Sequence, residues 1–247
     1  MGFGIKTKVV SFIVDKKRSF DVTSRHLSQL YSPNKGKKDC YRKILESYES
    51  CDWSPHPQYS VFTQHDKEFY LDREQSFRQK YRYFYAVSKA ISPTKMIEIG
   101  AFAGSSADAY ISATPTVEYT GIDLFGLFYC QESGKEFDPY ETAKVLFTER
   151  GFSKVTLLKQ DLRRLDRLPH EADFVVVDAA HDFENEYADL KLALTANPKF
   201  IFVDDADDPT QALPAIEKFL VEDLAGKVAY TVSLDYIGGG LVIKLKD

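Results

Sequence analysis

Three aspartates stand directly after two buried, strand-like runs of the sequence. Asp178 follows one run, and Asp204 and Asp205 follow the next. Because consecutive strands of this kind tend to be neighbours in a sheet, the three carboxylates are expected to converge at one edge. Clustered carboxylates repel one another unless a cation neutralises them, and an all-oxygen ligand set favours Mg²⁺ over softer metals. The pattern therefore predicts a magnesium site formed by Asp178, Asp204 and Asp205.

A histidine lies close to this acidic group in the sequence. His181 follows Asp178 by three residues, just before a predicted helix. A histidine beside a metal cation stays neutral and can accept a proton, so we predict that His181 is a general base acting next to Asp178. The alternative is a structural histidine at the helix start, with Asp182 as the helix cap. Spacing alone does not decide between these roles, because they depend on geometry.

A turn of glycines and small residues follows an earlier strand-like run and opens a helix. Its sequence is Glu98-Ile99-Gly100-Ala101-Phe102-Ala103-Gly104-Ser105-Ser106. Small residues let the backbone approach a ligand closely, and a helix N-terminus favours a negative group. The next strand-like run ends at Asp123, whose carboxylate suits a ribose diol. Together these features predict a site for a nucleoside-containing ligand; the alternative is an ordinary glycine turn beside an exposed aspartate.

The details of the turn favour one kind of nucleoside over another. A dinucleotide-binding turn has the pattern G-x-G-x-x-G, and here Phe102 replaces the middle glycine and Ser105 the last. This turn is therefore poorly suited to a pyrophosphate. The acidic Glu98 before the turn also suits a cationic ligand better than a diphosphate. A nicotinamide-dependent oxidoreductase accordingly remains only as an alternative.

The elements that position these residues follow from the alternation of strand and helix patterns. Five short runs of branched apolar residues predict buried strands at Met96 to Ile99, Val117 to Ile122, Val155 to Leu158, Phe174 to Val177 and Phe200 to Val203. Helical patterns between them predict βαβ units and a doubly wound, mainly parallel α/β sheet. Two final strand patterns, Val228 to Ser233 and Leu241 to Leu245, have no helix between them and predict an antiparallel hairpin at the sheet edge.

Three helices can be placed in more detail. The first has apolar and small residues at helical spacing that should pack on the sheet, and it ends at Ser92-Pro93. These residues are Phe77, Tyr81, Phe84, Ser88 and Ile91. The second packs Phe183, Tyr187, Leu190 and Leu194, and its acidic residues Glu184, Glu186 and Asp189 are expected to point away from the core. The third is expected to open at Asp208, with Pro209 at its first position.

The chain divides into two parts by pattern. Residues 1–70 are weakly patterned, and we predict helices and loops that cover the mouth of the site, before a nucleoside-binding domain at 71–247. Residues 1–57 carry eleven Lys and Arg against six Asp and Glu, a balance of +5, so the remainder carries −10. This basic segment is either a solvated face or a surface for an anionic partner. An acidic main domain disfavours nucleic acid, because phosphate contacts dominate nucleic-acid binding.

Composition narrows the setting of the protein. No apolar run reaches the roughly 20 residues that a membrane-spanning helix needs, and no secretory signal is evident. The three cysteines, Cys40, Cys51 and Cys130, are odd in number and lack metal-type spacing. We therefore expect free thiols and a cytoplasmic protein without a membrane partner.

The turn resembles the first motif of the class I S-adenosylmethionine-dependent methyltransferases. The aromatic Phe102 before the second glycine, Gly104, is similar to the divalent-metal-dependent O-methyltransferases of catechol, caffeoyl-CoA and macrolide-sugar type. The resemblance covers roughly residues 77–247 by order of elements, including the terminal hairpin. It implies a seven-stranded, Rossmann-like methyltransferase sheet.

The resemblance also implies roles for individual residues. At the S-adenosylmethionine site it implies that the methionine part lies beside Glu98, Gly100, Ala101 and Gly104, and that Ser106 binds the methionine carboxylate. It also implies that Asp123 binds the ribose and that Gln160 and Asp161 lie beside the adenine. Gln160 stands where the family commonly has a glycine. The family's metal-ligand positions match Asp178, Asp204 and Asp205, and members of its sugar-methylating branch have a spacing similar to that of Asp178 and His181.

The sequence as a whole therefore predicts a Mg²⁺-assisted methyl transfer from S-adenosylmethionine to a hydroxyl of a small molecule, such as a sugar or a polyketide-derived product. The aromatic loop from Phe125 to Tyr140 either lines an apolar acceptor pocket or packs internally. The sugar-methylating relatives tend to associate, which makes a homo-oligomer one expectation. A third class remains besides the oxidoreductase, a non-catalytic nucleoside-binding module.

Overall fold

The computed structural model describes residues 34–57, 74–130 and 135–247, and within these ranges a seven-stranded sheet forms the centre of the protein. The strands, numbered in chain order, are β1 Lys95–Ile99, β2 Glu118–Asp123, β3 Phe128–Cys130, β4 Lys135–Phe137, β5 Val155–Lys159, β6 Phe174–Val177, β7 Phe200–Asp204, β8 Val228–Leu234 and β9 Gly240–Leu245. The helices are α1 Lys35–Glu49, α2 Glu74–Ile91, α3 Ser105–Ala113, α4 Pro139–Glu149, α5 Phe183–Leu194 and α6 Ala212–Glu222. Strands β3 and β4 form a separate two-stranded ribbon.

The sheet has the predicted doubly wound order, β5-β2-β1-β6-β7-β9-β8. Five adjacent strands, β5, β2, β1, β6 and β7, are parallel to one another. Strand β9 pairs antiparallel with both β7 and β8. The predicted terminal hairpin is therefore confirmed at the sheet edge. The order reverses beside β1, so the carboxyl ends of β1, β2 and β6 surround the crevice in which such sheets bind ligands.

Helices cover both faces of the sheet, as the continuous apolar strands require. The side chains of β6 show this directly: Phe174 and Val176 belong to one hydrophobic core, and Val175 and Val177 belong to the other. All four residues are buried, because successive side chains of a strand point to opposite faces. The first core contains residues of α2, α3 and α4, and the second contains residues of α5 and α6.

Helix α2 packs on the sheet through the predicted residues. Phe84 is fully buried, and its ring stacks on Tyr110 of α3 with centroids 5.1 Å apart. Ser88 is buried too, and its hydroxyl donates to the Tyr110 carbonyl at 2.9 Å. The helix ends at Ile91, just before the predicted Ser92-Pro93 stop. Truncating Phe84 to alanine would remove a large buried side chain from this contact, at a cost of about 3–5 kcal/mol.

The prediction that the acidic residues of α5 point away from the core is wrong for two of them. Glu186 and Asp189 are 1% and 0% exposed. Arg163, from the short 3₁₀ helix that follows β5, forms an ion pair with Asp189. Helix α5 packs against α6 as well as the sheet, so helical periodicity alone misjudges which of its sides meets water.

The predicted start of α6 is also wrong, because the helix begins at Ala212. The Asp208 carboxylate instead accepts hydrogen bonds from the Thr210 backbone N–H at 2.8 Å and from its hydroxyl at 2.7 Å. Such local bonds favour a turn over a helix. The Gln211 side chain accepts from the backbone N–H of Phe183 at 3.2 Å and so helps to cap α5.

Helix α1 lies against α2 and β8, at the edge of the sheet. Asn34 caps it by accepting from the Lys37 backbone N–H, and its side-chain amide donates to Ala229 O at 3.0 Å. Residues 34–57 do not line the large cavity described below. Residues 1–33 and 58–70 of the predicted cover, residues 71–73 of the predicted domain, and residues 131–134 of the aromatic loop lie outside the described residues. Among the described helices, none is long and apolar enough to cross a membrane.

Candidate active site

A cavity of about 670 Å³ opens at the carboxyl ends of the parallel strands. Eight of the predicted site residues line it, namely Gly100, Ala101, Ser106, Asp123, Asp161, Asp178, His181 and Asp205. Four others do not line it: Glu98 and Asp204 are buried beneath, Gly104 caps α3, and Gln160 is exposed. The sheet therefore brings most of the predicted nucleoside residues and two of the three predicted metal ligands to one cavity.

The turn after β1 depends on glycine because two backbones approach closely there. Gly100 has a φ of +96°, and a Cβ at this position would overlap the carbonyl oxygen of Asp178. The Gly100 N–H donates to Ile122 O at 2.8 Å, and the Asp178 N–H donates to Ile99 O at 2.9 Å. The ends of β1, β2 and β6 are thus held together at the floor of the cavity.

Asp123 fixes the loops on either side of the cavity. One carboxylate oxygen accepts from the Phe102 backbone N–H at 3.0 Å, and the other accepts from the Phe125 N–H at 2.7 Å. A carboxylate has about four lone-pair sites, so both oxygens keep capacity for a ligand in the cavity. Asp123 is therefore oriented rigidly where a nucleoside ribose is predicted.

Beneath the turn, Glu98 is fully buried and accepts a hydrogen bond from the Tyr119 hydroxyl. Burial raises its pKa to about 7, although hydrogen bonds from Ser106 and Tyr119 act in the opposite direction. The carboxyl group is thus close to half protonated at neutral pH. At the other end of the cavity floor, Asp161 caps the 3₁₀ helix by accepting from the Arg163 backbone N–H at 3.0 Å.

The acidic cluster contains a cation that the sequence analysis did not anticipate. Lys80, from α2, places its ammonium group 2.5 Å from Asp204 Oδ2 and 3.4 Å from Asp205 Oδ2. Asp204 is 1% exposed, and its other oxygen accepts from the Tyr236 hydroxyl at 2.7 Å. Lys80 therefore lies among the predicted metal ligands.

The charges of this cluster shift one another's protonation. Burial raises the pKa of Asp178 well above its usual range, and Asp204 raises it further, whereas Lys80 lowers it. Burial and Asp204 likewise raise the pKa of Asp205, against Lys80 and His181. For Lys80, burial disfavours the charged form, but the three aspartates outweigh burial and its pKa is raised. The aspartates of this cluster therefore resist ionising together, and one ammonium group does not balance all three in their ionised forms.

His181 lies at the outer side of the cluster. Its side chain is 43% exposed, and Nε2 is 3.5 Å from Asp205 Oδ2. Asp182 caps α5 by accepting from the Asn185 N–H at 3.1 Å, as the structural alternative for this region predicted. That cap does not occupy the imidazole. Ligand atoms of Asp178, His181 and Asp205 all lie within 4.8 Å of one another, an arrangement that can hold a metal ion.

The position of Lys80 could have been predicted from the order of helix α2 and strand β1. Helix α2 leads directly into β1 through the turn at Thr94, whose N–H and hydroxyl bond to Asp173 at the amino edge of the sheet. The helix must therefore run antiparallel to β1, with its first turns at the carboxyl edge. A lysine in those turns, one residue before Tyr81 of the apolar stripe, lies close enough to reach the strand ends.

The chain matches no protein-family model and no curated protein. Solved structures do resemble it. The SAH-bound methyltransferase PaMTH1 from Podospora anserina aligns over 100% of this chain and 98% of its own, with 17% identity and a TM-score of 0.51. The O-methyltransferase TomG from Streptomyces achromogenes, in complex with SAM, aligns over 87% of this chain and 100% of its own, with 17% identity and a TM-score of 0.54. The chain has the class I methyltransferase fold.

A methyltransferase from Geobacter sulfurreducens has the same fold, with 13% identity, a TM-score of 0.52, and coverage of 82% of this chain and 96% of its own. The predicted methyltransferase fold, with its seven-stranded sheet and antiparallel hairpin, is thus confirmed. Identities of this size establish the fold alone, so the activity has to be argued from the cavity.

Proposed function

We propose that this protein transfers the methyl group of S-adenosylmethionine to a hydroxyl group of a small molecule, assisted by a divalent cation. One observation carries the proposal: the glycine turn, Asp123 and the group of Asp178, His181 and Asp205 face the same cavity. A nucleoside cofactor and a hydroxyl held by a cation would meet there. Holding two reactants side by side supplies much of the acceleration of such a transfer.

The cofactor half of the cavity has the chemistry that S-adenosylmethionine needs. Gly100 and Ala101 offer a backbone surface without bulky side chains, and Ser106 lies at the N-terminus of α3 beside them. A helix N-terminus favours a carboxylate, which the methionine part carries. Asp123 accepts the ribose hydroxyls, and Asp161 lies further along, toward the adenine. The positive sulfonium then lies in a cavity with several carboxylates on its walls.

The acceptor half has a base and ligands for a cation. Asp178, His181 and Asp205 fit a divalent ion by spacing and donor type, since carboxylate and imidazole both bind such ions. When bound, the ion would lower the pKa of a hydroxyl in contact with it. His181 lines the cavity, and in the ion-free site its imidazole can accept the hydroxyl proton; when it binds the ion, the lowered pKa of the hydroxyl takes the place of that base.

The proposed acceptor is a small molecule. The cavity volume, about 670 Å³, falls in the range typical of small-molecule sites. Among the described residues, five aspartates line the cavity against two cations, Lys80 and Arg163, and this excess of acidic groups disfavours the phosphates of a nucleic acid. Hydroxylated compounds with a vicinal pair of oxygens suit the cation best, because both oxygens can bind it.

The proposal can be tested by following methyl transfer from labelled S-adenosylmethionine to a panel of catechols, sugars and hydroxylated polyketides. We expect product with at least one vicinal diol or catechol, a loss of turnover of more than a hundredfold in Asp205→Asn, and the same loss with chelator. Glu184→Gln, on the exposed side of α5, is the matched control and should retain turnover. Cofactor binding without transfer to any hydroxylated acceptor would contradict the proposal.

A further inference from the structure

The acidic cluster is divided by Lys80 into two halves with different partners. The inner half is Asp204, which accepts a hydrogen bond from the Tyr236 hydroxyl at 2.7 Å and forms an ion pair with the Lys80 ammonium at 2.5 Å. The outer half consists of Asp178, His181 and Asp205, which line the cavity. Only the outer half gathers ligand atoms within 4.8 Å of one another among the described residues.

Lys80 is held in this position from several sides. Its side chain is 12% exposed, and its ammonium group lies 5.7 Å from the centroid of the Phe84 ring. Phe84 is itself fully buried against α3 and β7. The packing of α2 on the sheet therefore fixes the lysine stem, and a displacement of the ammonium group would leave Asp204 buried without its ion-pair partner. Such a loss is costly in a protein interior.

The charge count shows what remains for a ligand. With Asp178, Asp204 and Asp205 all ionised, three carboxylates and one ammonium leave a formal charge of −2, which matches one divalent cation. The ammonium and that cation would repel each other across Asp205, since Lys80 lies 3.4 Å from the same Asp205 oxygen that faces His181. A fixed positive charge at this distance weakens the binding of a second one.

We propose that Lys80 is a tethered cation that holds Asp204 away from the metal, confines a divalent ion to Asp178, His181 and Asp205, and weakens the binding of that ion. This inference rests on the proposed function, because it concerns the cation of the same site. It differs from the set predicted from the sequence in two respects: Asp204 is a partner of Lys80 and not a ligand, and His181 joins the ligands.

The test is a calorimetric titration with Mn²⁺ alone, an ion that accepts both carboxylate and imidazole ligands. The variants are Lys80→Met, Asp204→Asn, the double variant of both, and Asp205→Asn. Lys89→Met is the matched control, because it removes a lysine from the exposed end of the same helix. Binding of S-adenosylhomocysteine by each variant shows that its cavity is intact.

We expect Lys80→Met to bind Mn²⁺ at least tenfold more tightly than the wild type, a gain of about 1.4 kcal/mol. Asp205→Asn should lose at least tenfold, and Lys89→Met should stay within twofold. The double variant keeps the cluster's formal charge at −2 and should stay within threefold of the wild type. If Lys80→Met does not fold, the same tenfold rise is measured between Asp204→Asn and the double variant.

Three results would overturn the inference. Unchanged or weaker Mn²⁺ binding on removal of Lys80, in either background, would show that the lysine does not oppose the ion. A tenfold loss in the double variant would show that Asp204 is a ligand. Absence of Mn²⁺ binding in every variant, with S-adenosylhomocysteine still bound, would reject the cation site and the cation-assisted part of the proposed function, while leaving transfer from S-adenosylmethionine standing. Loss of both ligands in the wild type would reject the two together.

Discussion

The stability of the folded protein should fall between acidic and neutral pH because of one carboxyl group, Glu98. Burial raises its pKa from an ordinary value of 4.5 to about 7. The folded state therefore binds this proton more tightly than the unfolded state does. The resulting stability is fully present below about pH 4.5 and is lost as the pH rises through 7. A rise of this size corresponds to about 3 kcal/mol.

The perturbation is Glu98→Gln, which keeps the shape and an oxygen that can accept from Tyr119 but cannot ionise. Urea unfolding of the ligand-free protein at pH 5, 6, 7 and 8 gives the free energy of unfolding for each variant. Other buried acids contribute to the slope of both curves, so the prediction concerns their difference. We expect the wild type to lose about 2.5 kcal/mol more than the variant between pH 5 and pH 8, because part of the full effect is already lost at pH 5.

Glu118→Gln is the matched control, since Glu118 is an exposed carboxyl at the start of the neighbouring strand β2. Its curve should run parallel to that of the wild type. If Glu98→Gln also gives a parallel curve, the burial of an ionisable group beneath the glycine turn does not control stability, and the reasoning from its environment is refuted.

Two further substitutions test the packing around the cavity. Gly100→Ala should destabilise the fold by several kcal/mol and abolish S-adenosylhomocysteine binding, because the new Cβ overlaps a backbone carbonyl. Gly126→Ala, whose new Cβ would have no atom within 4 Å, should change the melting temperature little. Equal melting temperatures for the two variants would contradict this prediction. Arg163→Met should cost about 1–3 kcal/mol in urea unfolding, because it leaves the buried Asp189 carboxylate without its partner, although Arg163 itself is 37% exposed. Arg164→Met, at an exposed position, should cost less than about 1 kcal/mol, and equal losses in the two variants would show that the pair of Arg163 and Asp189 contributes nothing specific.

The sheet could be predicted almost completely from the sequence. Strands buried on both faces, such as Phe174–Val177, have continuous apolar runs, and the helices between them identify the parallel crossovers. The terminal hairpin was visible because no helical pattern separates its two strands. The convergence of Asp178, Asp204 and Asp205 was predicted by the same logic, since parallel strands place their carboxyl ends on one edge, and Asp178 and Asp205 line the cavity there.

What the sequence did not predict depends on contacts between distant segments. Lys80 and Asp205 are 125 residues apart, and neither belongs to a motif that names the other. The burial of Asp189 requires Arg163, which comes from another element. The prediction of where α6 begins was wrong for a local reason, because the residue types that cap a helix also form turns such as the one at Asp208.

The proposed function depends above all on binding of S-adenosylmethionine in the cavity by the turn after β1 and by Asp123. Calorimetric titration of the purified protein with S-adenosylhomocysteine, with and without Mg²⁺, tests it most directly on the wild type and on Asp123→Ala. We expect micromolar binding by the wild type, about −8 kcal/mol, and no measurable binding by the variant. Absence of binding in either metal state, or equal binding by the two proteins, would contradict it.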